Sequence, residues 1–581
     1  MKLSMIERWS FLVTYLKPQQ RRVLLLGALL LISIALQLAN PLVLRYFIDT
    51  AQAGGATRSL ILAALLFIGV ALVNQLFSVA ATYVSENVGW TATNLLRADL
   101  LRHCLHLDLA FHKARTPGEL IDRIDGDVNA LATFFSDLVI KVFGNALLLI
   151  GVLIVLWAIN WQVGIILTAL AVVMLIVLLR VQSIAVPHWK ASRQTSAELF
   201  GFLEERLAGT EDIRASGAVA YTMHRLYELM RIRLRAERKA FLIGSFIWLT
   251  PVLFAALTIA ITFVVSARLF HQSVISLGTA YVIFFYAQIM LRPIRIITRQ
   301  MEDLQKATAG MLRIQELYQF KATIIDGHGD SLPSGPLELA FEQVAFGYEV
   351  DDHVLHAISF AILPGRTLGI LGRTGSGKTT LTRLLFRLYD PTAGTICLGG
   401  TDIRTVPVAD LRRRIGMVTQ DVHLFQASLR DNLTFFDDTL PDARIMTVLT
   451  DLGLLPWFHA LPAGLDSILA SGSGGLSSGE AQVLALTRIF LRDPGLVVLD
   501  EASSRLDPAT EQLVERAVGS LLHNRTGIVI AHRLHTVLRA DDILILEDGQ
   551  ICEYGPRDRL MADPKSRFSQ LLRTGLEEVL T

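Results

Sequence analysis

The sequence has few charged residues and few cysteines. Only 18% of its 581 residues are Asp, Glu, Lys or Arg, the formal net charge is +1, and there are 3 cysteines. A chain so close to neutrality lacks the strongly basic face of nucleic-acid-binding domains, so we expect no nucleic-acid partner. Cys104, Cys397 and Cys552 lie far apart without metal-ligand spacing, which predicts reduced structural thiols.

Apolar residues are abundant instead. They make up 52% of the chain, more than is usual in a soluble protein. Several apolar runs approach or exceed the roughly 20 residues that cross a bilayer as a helix. The first is long and follows a polar, aromatic-bearing segment, so we do not expect a cleaved signal peptide. Six spans are predicted: Val23 to Ile48, Leu60 to Val84, Val139 to Trp157, Val163 to Leu179, Phe241 to Val265 and Leu277 to Leu291.

Positive charge predicts how these spans are oriented. The long polar segments between spans two and three and between spans four and five are helix-like and carry most of the lysine and arginine found between the first and the sixth span. By the positive-inside rule, both segments and both termini are expected in the cytoplasm of a protein of the cytoplasmic (inner) membrane. Arg45, Lys141 and Arg292 lie at or inside the span ends, where snorkelling to the headgroups is favoured over a substrate contact.

The pattern changes in the second half of the chain. A segment rich in Gly, Asp, Ser and Pro precedes short apolar runs that alternate with helical stretches. We therefore predict an α-helical membrane domain with six transmembrane helices at residues 1–320, a linker at 321–336, and an α/β P-loop NTPase domain at 337–581.

One glycine-rich loop carries the strongest chemical signal. Residues 372–380 read GRTGSGKTT, between a strand-like run at 367–371 and a helix-like run at 381–388. This is the order that a phosphate-binding loop requires. Backbone N–H groups of the loop and the following helix would bind the phosphates, Lys378 would contact the β- and γ-phosphates, and Thr379 would contact Mg²⁺. The residues predicted to bind the nucleotide here are Gly372, Thr374, Gly375, Ser376, Gly377, Lys378, Thr379 and Thr380.

Three further residues follow buried apolar strands. Asp500 ends the run 496–499 and is a candidate Mg²⁺ ligand, because open α/β sheets present ligands at the carboxyl ends of their strands. Glu501 is then placed to orient or deprotonate the attacking water. His532 follows the run 527–531; a lone histidine after a strand is usually structural, and it is the resemblance described next that implies a catalytic role for it near the γ-phosphate.

The chain resembles the ATP-binding cassette (ABC) transporters, specifically half-transporters with the exporter-type fold. Besides the glycine loop and the three residues after the strands, the motifs that carry the resemblance are FGY with Tyr348, VTQD with Gln420, LSSGE at 476–480 and SRLD at 504–507. The resemblance implies that Tyr348 stacks on adenine and that Gln420 serves catalysis and contacts Mg²⁺. It also implies coupling helices near Gly118 to Asp127 and Gly209 to Ser216.

The same resemblance implies that the chain functions as part of a dimer. In such a dimer, the signature loop of one subunit closes over the nucleotide bound to the other. Ser477 and Gly479 are the matching donors here. The usual LSGGQ is LSSGE, and Glu480 brings negative charge near phosphate. Arg505 also stands where alanine is common, and residues 470–475 lack the family's usual glutamate. An altered signature beside intact Glu501 and His532 favours one subunit of a heterodimer over a homodimer.

The predicted function is therefore ATP-driven export of an amphipathic small molecule, lipid or peptide by one half of a dimeric transporter. ATP and Mg²⁺ are the expected cofactors, with membrane lipid and a second half-transporter as partners. The alternative is an exporter-shaped importer of a siderophore or vitamin-like compound. A soluble ABC ATPase acting on nucleic acid or ribosomes is disfavoured by the apolar spans and the neutral charge.

Overall fold

The computed structural model describes residues 14–349, 353–419, 422–469, 476, 478–500, 508–530 and 537–574. Its contacts divide the chain into two compact units. The first comprises Met1–Leu105 and Pro117–Phe320, and the second comprises His106–Thr116 and Lys321–Thr581. The second unit is thus discontinuous in sequence. Both predicted coupling segments, residues 118–127 and 209–216, fall in the first unit.

The first unit consists of helices. Its long helices are α1 (Gln20–Gln52), α2 (Thr57–His106), α6 (Asn145–Ile159), α7 (Trp161–Ala208), α9 (Val219–His271) and α10 (Leu277–Gln319). The intervening chain contains α3 (Leu109–Lys113), α4 (Pro117–Ile121), α5 (Val128–Asp137) and α8 (Thr210–Ala215), of which α3 belongs to the second unit. Two π-helical segments, Asp122–Asp127 and Leu138–Gly144, flank α5.

Six membrane-spanning helices are confirmed within the described residues, in the order that the apolar runs predict. They are Thr14–Gln52, Thr57–His106, Ile140–Ile159, Trp161–Ala208, Val219–His271 and Leu277–Ile297. Many large apolar side chains on them are exposed, including Leu24, Leu62 and Val264. Helices with so much outward apolar surface are suited to lipid, and the protein is a multi-pass membrane protein.

Local chemistry explains where these helices begin. Asn160 separates α6 from α7, and its side-chain oxygen accepts hydrogen bonds from the backbone of Gln162 (2.9 Å) and Val163 (3.3 Å). This is an N-cap, which satisfies N–H groups that the first helical turn leaves free. At α10, Asp49 accepts hydrogen bonds from Ser276 Oγ (2.8 Å) and the backbone N–H of Gly278 (2.9 Å). The end of α1 therefore anchors the start of α10.

The second unit is α/β. Its strands are β1 (Leu339–Gly347), β2 (His353–Ile362), β3 (Thr367–Leu371), β4 (Ala393–Leu398), β5 (Thr401–Asp402), β6 (Ile415–Val418), β7 (Ala427–Ser428), β8 (Ile468–Leu469), β9 (Leu496–Asp500), β10 (Thr526–Ile530), β11 (Asp542–Glu547) and β12 (Gln550–Pro556). Its helices are α11 (Lys378–Leu385), α12 (Val408–Arg414), α13 (Leu429–Thr434), α14 (Asp442–Asp451), α15 (Leu455–His459), α16 (Ser478–Arg492), α17 (Pro508–Leu522), α18 (Arg557–Ala562) and α19 (Arg567–Thr574).

Two sheets organise this unit. One has the order β2-β1-β4-β5, and the six-stranded sheet has the order β12-β11-β3-β10-β9-β6. Strand β3 lies inside the larger sheet and pairs in parallel with β10 and β11. Strands β3 and β10 are buried at every position, as expected for parallel strands covered on both faces. The predicted α/β P-loop fold is therefore confirmed.

The segment between Phe320 and Leu339 forms no helix or strand, and hydrogen bonds through both its backbone and its side chains join it to the rest of the second unit. Arg387 donates to the carbonyl of Ile325 (2.7 Å), and the Asp326 carboxylate accepts from the backbone of Val408 (2.7 Å). The segment is thus fixed to the second unit along much of its length.

Candidate functional site

The glycine loop joins β3 to α11 as its sequence predicts. Gly375 and Gly377 have φ values of +86° and +104°, a region that L side chains rarely adopt. A Cβ at Gly377 would lie 2.6 Å from Leu355 Cδ2, whereas a Cβ at Gly375 would meet nothing within 4 Å. Gly377 therefore allows close packing beneath the loop, and Gly375 keeps its outer side open.

Lys378 begins α11 and turns back over the loop. Its ammonium donates to the carbonyls of Gly372 (2.6 Å) and Arg373 (2.8 Å), and the residue is only 7% exposed. Ser376 Oγ is buried and has no hydrogen-bond partner within the described part of the chain. A buried cation beside an unsatisfied hydroxyl fits an anion with several acceptor oxygens, since buried polar groups are normally paired.

A cavity of about 520 Å³ opens above this loop. The predicted residues that line it are Tyr348, Thr374, Gly375, Gly377, Lys378, Thr379, Thr380 and Asp500. Three residues that sequence analysis did not single out complete the wall: Val354, Arg383 and Ile530. Arg383 lies four residues after Thr379 on α11, so the helical i,i+4 relation was a signal that could have found it.

Strand register explains why Asp500 reaches this cavity. Ile530 of β10 pairs with Asp500 on one side and with Ile370 of β3 on the other. Asp500 therefore lies two strands from β3, or about 10 Å at the usual strand spacing. That separation leaves room for a phosphate and a hydrated cation between Asp500 and the glycine loop.

Tyr348 is held in place at the edge of the cavity. Its hydroxyl accepts a hydrogen bond from Arg383 Nη1 (2.8 Å) and lies 3.1 Å from Thr380 Oγ1. The ring packs edge-on against Tyr389, whose pKa is raised by burial and by the neighbouring Tyr348. Lys113 Nζ lies 5.1 Å from the Tyr348 ring centroid, within cation–π range.

The other predicted site residues do not line the cavity or lie outside the described residues. Gly372 and Ser376 belong to the loop but do not line the cavity, and Gly479 is buried at the start of α16. Gln420, Ser477, Glu501 and His532 lie outside the described residues, so their roles stay predictions.

Comparisons with known proteins agree with this architecture. The family model for the ABC transporter transmembrane region matches residues 23–294, and the ABC transporter model matches residues 355–504. A solved structure of a bacterial Atm1-family ABC exporter with ATP bound superposes with a TM-score of 0.77 at 26% identity, covering 96% of this chain and 98% of that one.

Curated relatives match along most of their length. The chain is 29% identical to the ATP-dependent lipid A-core flippase of Pectobacterium atrosepticum, covering 90% of both chains. It is 27% identical to the uncharacterized ABC transporter ATP-binding protein YfiC of Bacillus subtilis, covering 98% of this chain and 94% of the relative.

The chain belongs to the ABC transporters. It combines a transmembrane region of the exporter type with an ABC ATPase domain, which binds and hydrolyses ATP.

Proposed function

We propose that this chain is one half of a dimeric exporter in the cytoplasmic membrane, with its ATPase domain in the cytoplasm. Its cargo is an amphipathic small molecule, lipid or peptide. The observation that carries the proposal is the convergence of Lys378, Thr379 and Asp500 on one cavity, in a chain that also has six membrane-spanning helices. ATP bound there drives closure of two ATPase domains, and hydrolysis reopens them.

The nucleotide contacts follow from the cavity walls. Lys378 and the N–H groups of the loop bind the phosphates, and the face of Tyr348 stacks on adenine. Arg383 fixes the Tyr348 ring through its hydroxyl. Substituting Arg383 should therefore weaken nucleotide binding even if the side chain makes no contact with ATP.

Magnesium fits the same cavity. The described residues contain no cluster of three or more His, Cys, Asp or Glu side chains that could hold a metal ion alone. Mg²⁺ does not require one, because in nucleotide sites it takes one or two protein oxygens together with phosphates and water. Thr379, Asp500 and Gln420 would hold the ion, which neutralises developing phosphate charge when bound.

The pairing proposal rests on the signature LSSGE. Gly479 lies at the start of α16, where N–H groups point outward with the positive end of the helix dipole. On a partner's nucleotide this end would stabilise the γ-phosphate, and Glu480 in the first turn opposes it with negative charge. A heterodimer partner with a standard signature would restore closure over this chain's own ATP. Expression of this chain alone tests the idea: a stable, fully active homodimer contradicts it.

Glu501→Gln tests the ATPase assignment. The variant keeps the shape of the side chain but cannot accept a proton from water, so ATP should still bind while hydrolysis and ATP-driven export fall at least about 100-fold. Glu515→Gln is the control, because Glu515 of α17 pairs with Arg539 and does not line the cavity. A Glu501→Gln variant that hydrolyses ATP at the normal rate would show that Glu501 is not the catalytic base. Uptake rather than export in oriented vesicles would show that the protein is an importer.

A further inference from the structure

A second cavity, of about 1240 Å³, lies within the membrane unit. Its walls come from four membrane helices, α1, α2, α6 and α10, together with the π-helical segment before α6. It shares no residue with the nucleotide cavity. Its volume suits a ligand of drug size or larger.

The charge on the cavity wall has one sign. Lys141 and Arg292 both line the cavity, and no Asp or Glu is among the described residues that line it. Low-dielectric walls with charge of a single sign concentrate the field inside a cleft and attract ions of the opposite sign. Two cations on a cavity wall within membrane helices therefore favour an anion as the occupant.

The two cations lie toward the same side of the membrane. Lys141 is at the beginning of the third span, Ile140–Ile159, and Arg292 is close to the end of the sixth span, Leu277–Ile297. Successive spans alternate in direction, so the start of the third span and the end of the sixth share one side. The positive charge of the wall is therefore confined to one end of the cavity.

The other end of the wall is aromatic. Tyr281 and Phe285 of α10 are stacked, with ring centroids 6.3 Å apart, and Phe284 lies beside Tyr281. Tyr281 precedes Arg292 by about 16 Å along α10 at the usual helical rise. Gln288 lies between them on the same wall. Along α10 the cavity thus changes from aromatic through amide to cationic.

Arg45 shows that a cation near the end of a span need not contribute to an anion-binding cavity. It pairs with Asp49 one helical turn later, with 3.6 Å between Nε and the carboxylate, and it does not line the cavity. Headgroup snorkelling or local pairing accounts for Arg45. Lys141 and Arg292 differ because they lie on the wall of a common cavity.

We propose that this cavity binds an amphiphile with an anionic head, either phosphate or carboxylate, and an apolar body. The head lies against Lys141 and Arg292, and the body lies against Tyr281, Phe284 and Phe285. This inference rests on the proposed export function, because it names the class of cargo. Two monovalent cations suit a phosphate monoester, whose charge is about −1.5 to −2 at neutral pH.

Equilibrium binding to the full-length protein, in the assembly in which it is isolated and placed in phosphatidylcholine nanodiscs, tests the site without ATP. The probes share one acyl chain and differ in the head: lysophosphatidic acid, the free fatty acid and the neutral monoacylglycerol. Inorganic phosphate is the fourth probe. We expect both acids to bind about tenfold more tightly than the neutral probe, equivalent to about 1.4 kcal/mol.

Charge removal gives the matched comparison. Lys141→Gln and Arg292→Gln should each remove about half of that preference in free energy, weakening binding of the acids about threefold, and leave the neutral probe unchanged. Arg292→Lys should recover most of the affinity. Arg295→Gln is the control, since it removes an exposed arginine three residues further along α10 that does not line the cavity.

Each outcome decides the inference. Equal binding of acidic and neutral probes overturns it, and so does an equal loss in Arg295→Gln. Inorganic phosphate that binds as tightly as lysophosphatidic acid overturns the role of the apolar body. A separate vesicle assay of ATP-driven lysophosphatidic acid transport tests the export function. Selective binding without transport would contradict the export function but not the proposed binding site. Transport without selective binding would contradict only the proposed binding site.

Discussion

Asp127 and Arg313 are 186 positions apart in the chain and form a two-pronged ion pair within the membrane unit. Arg313 Nε donates to Asp127 Oδ2 at 2.8 Å, and Nη2 donates to Oδ1. Asp127 is 3% exposed, at the end of a π-helical segment, while Arg313 lies on the extension of α10 beyond the sixth span. The pair therefore joins the link before span three to the helix that leaves span six.

Asp127→Asn should destabilise the protein by about 2 kcal/mol, because it leaves Arg313 without its charged acceptor. The measurement is thermal unfolding of the full-length chain in detergent. Glu228→Gln provides the comparison, since Glu228 pairs with Arg225 at an exposed site and its substitution should leave the unfolding temperature nearly unchanged. Equal effects of the two substitutions would show that the buried Asp127–Arg313 pair stabilises the protein no more than an exposed ion pair does.

Gly377→Ala should abolish ATP binding. The added Cβ would lie 2.6 Å from Leu355 Cδ2, and the residue would have to keep a φ of +104°. Gly400→Ala shares the unfavourable φ, at +78°, but its Cβ would meet nothing within 4 Å, so it should cost about 1 kcal/mol of stability and leave ATP binding intact. Filter binding of labelled ATP distinguishes the two, and normal binding by Gly377→Ala would contradict the assigned loop geometry.

Lys113→Gln should raise the affinity for ATP about two- to fivefold, because the Lys113 ammonium competes with adenine for the face of Tyr348 and exposed cation–π contacts are worth about 0.5–1 kcal/mol. Lys113→Arg keeps a cation and should behave like the wild type. Inorganic tripolyphosphate lacks the base, so its binding should not respond to either change. A response to tripolyphosphate would mean that Lys113 acts on the phosphates instead.

Arg488→Lys should destabilise the ATPase unit by about 2 kcal/mol. The buried guanidinium donates to the carbonyl of Asn432 (2.7 Å), the side chain of Asn432 (3.3 Å) and the carbonyl of His423 (3.1 Å), and one ammonium cannot reach all three. Thermal unfolding of the full-length chain measures the loss. An unchanged unfolding temperature would show that the ammonium replaces the guanidinium contacts.

The pH dependence at Arg488 is also specified. Burial lowers the pKa of Arg488 to about 10, below its ordinary value of 12.5. A lowered pKa means that the charged form costs the folded state free energy, and this cost grows as pH falls from 12.5 towards 10 and is complete below that. Between pH 6 and 8 Arg488 stays charged, so the effect of Arg488→Lys should be constant. If the effect of Arg488→Lys on stability changed strongly between pH 6 and 8, a group other than Arg488 would be responsible for the titration.

The sequence predicts the framework well because its signals are local. Span positions follow from the length of apolar runs, and strand β3 occupies the predicted residues Thr367–Leu371. All the loop residues that line the nucleotide cavity are among those that the sequence predicts, since a glycine loop needs only its own strand and helix.

Contacts between distant segments could not be predicted. Ile530 enters the nucleotide cavity through strand pairing, and Lys141 shares a cavity with Arg292 through helix packing. No spacing along the chain encodes either neighbour. The headgroup interpretation of Lys141 and Arg292 depends on position in a span alone, and position in a span does not specify that both residues line one cavity.

The segment His106–Thr116 has a consequence for biosynthesis. It belongs to the ATPase unit, where Asp108 accepts hydrogen bonds from the backbone (2.6 Å) and hydroxyl (2.8 Å) of Thr323. The ribosome makes this segment before four of the six spans and long before Thr323. Domains generally fold as units during synthesis, so the ATPase unit cannot finish folding when His106–Thr116 is made. It can do so only after the remaining membrane spans and the rest of the ATPase unit have been synthesised. Its completion therefore reports that the whole membrane half has been synthesised.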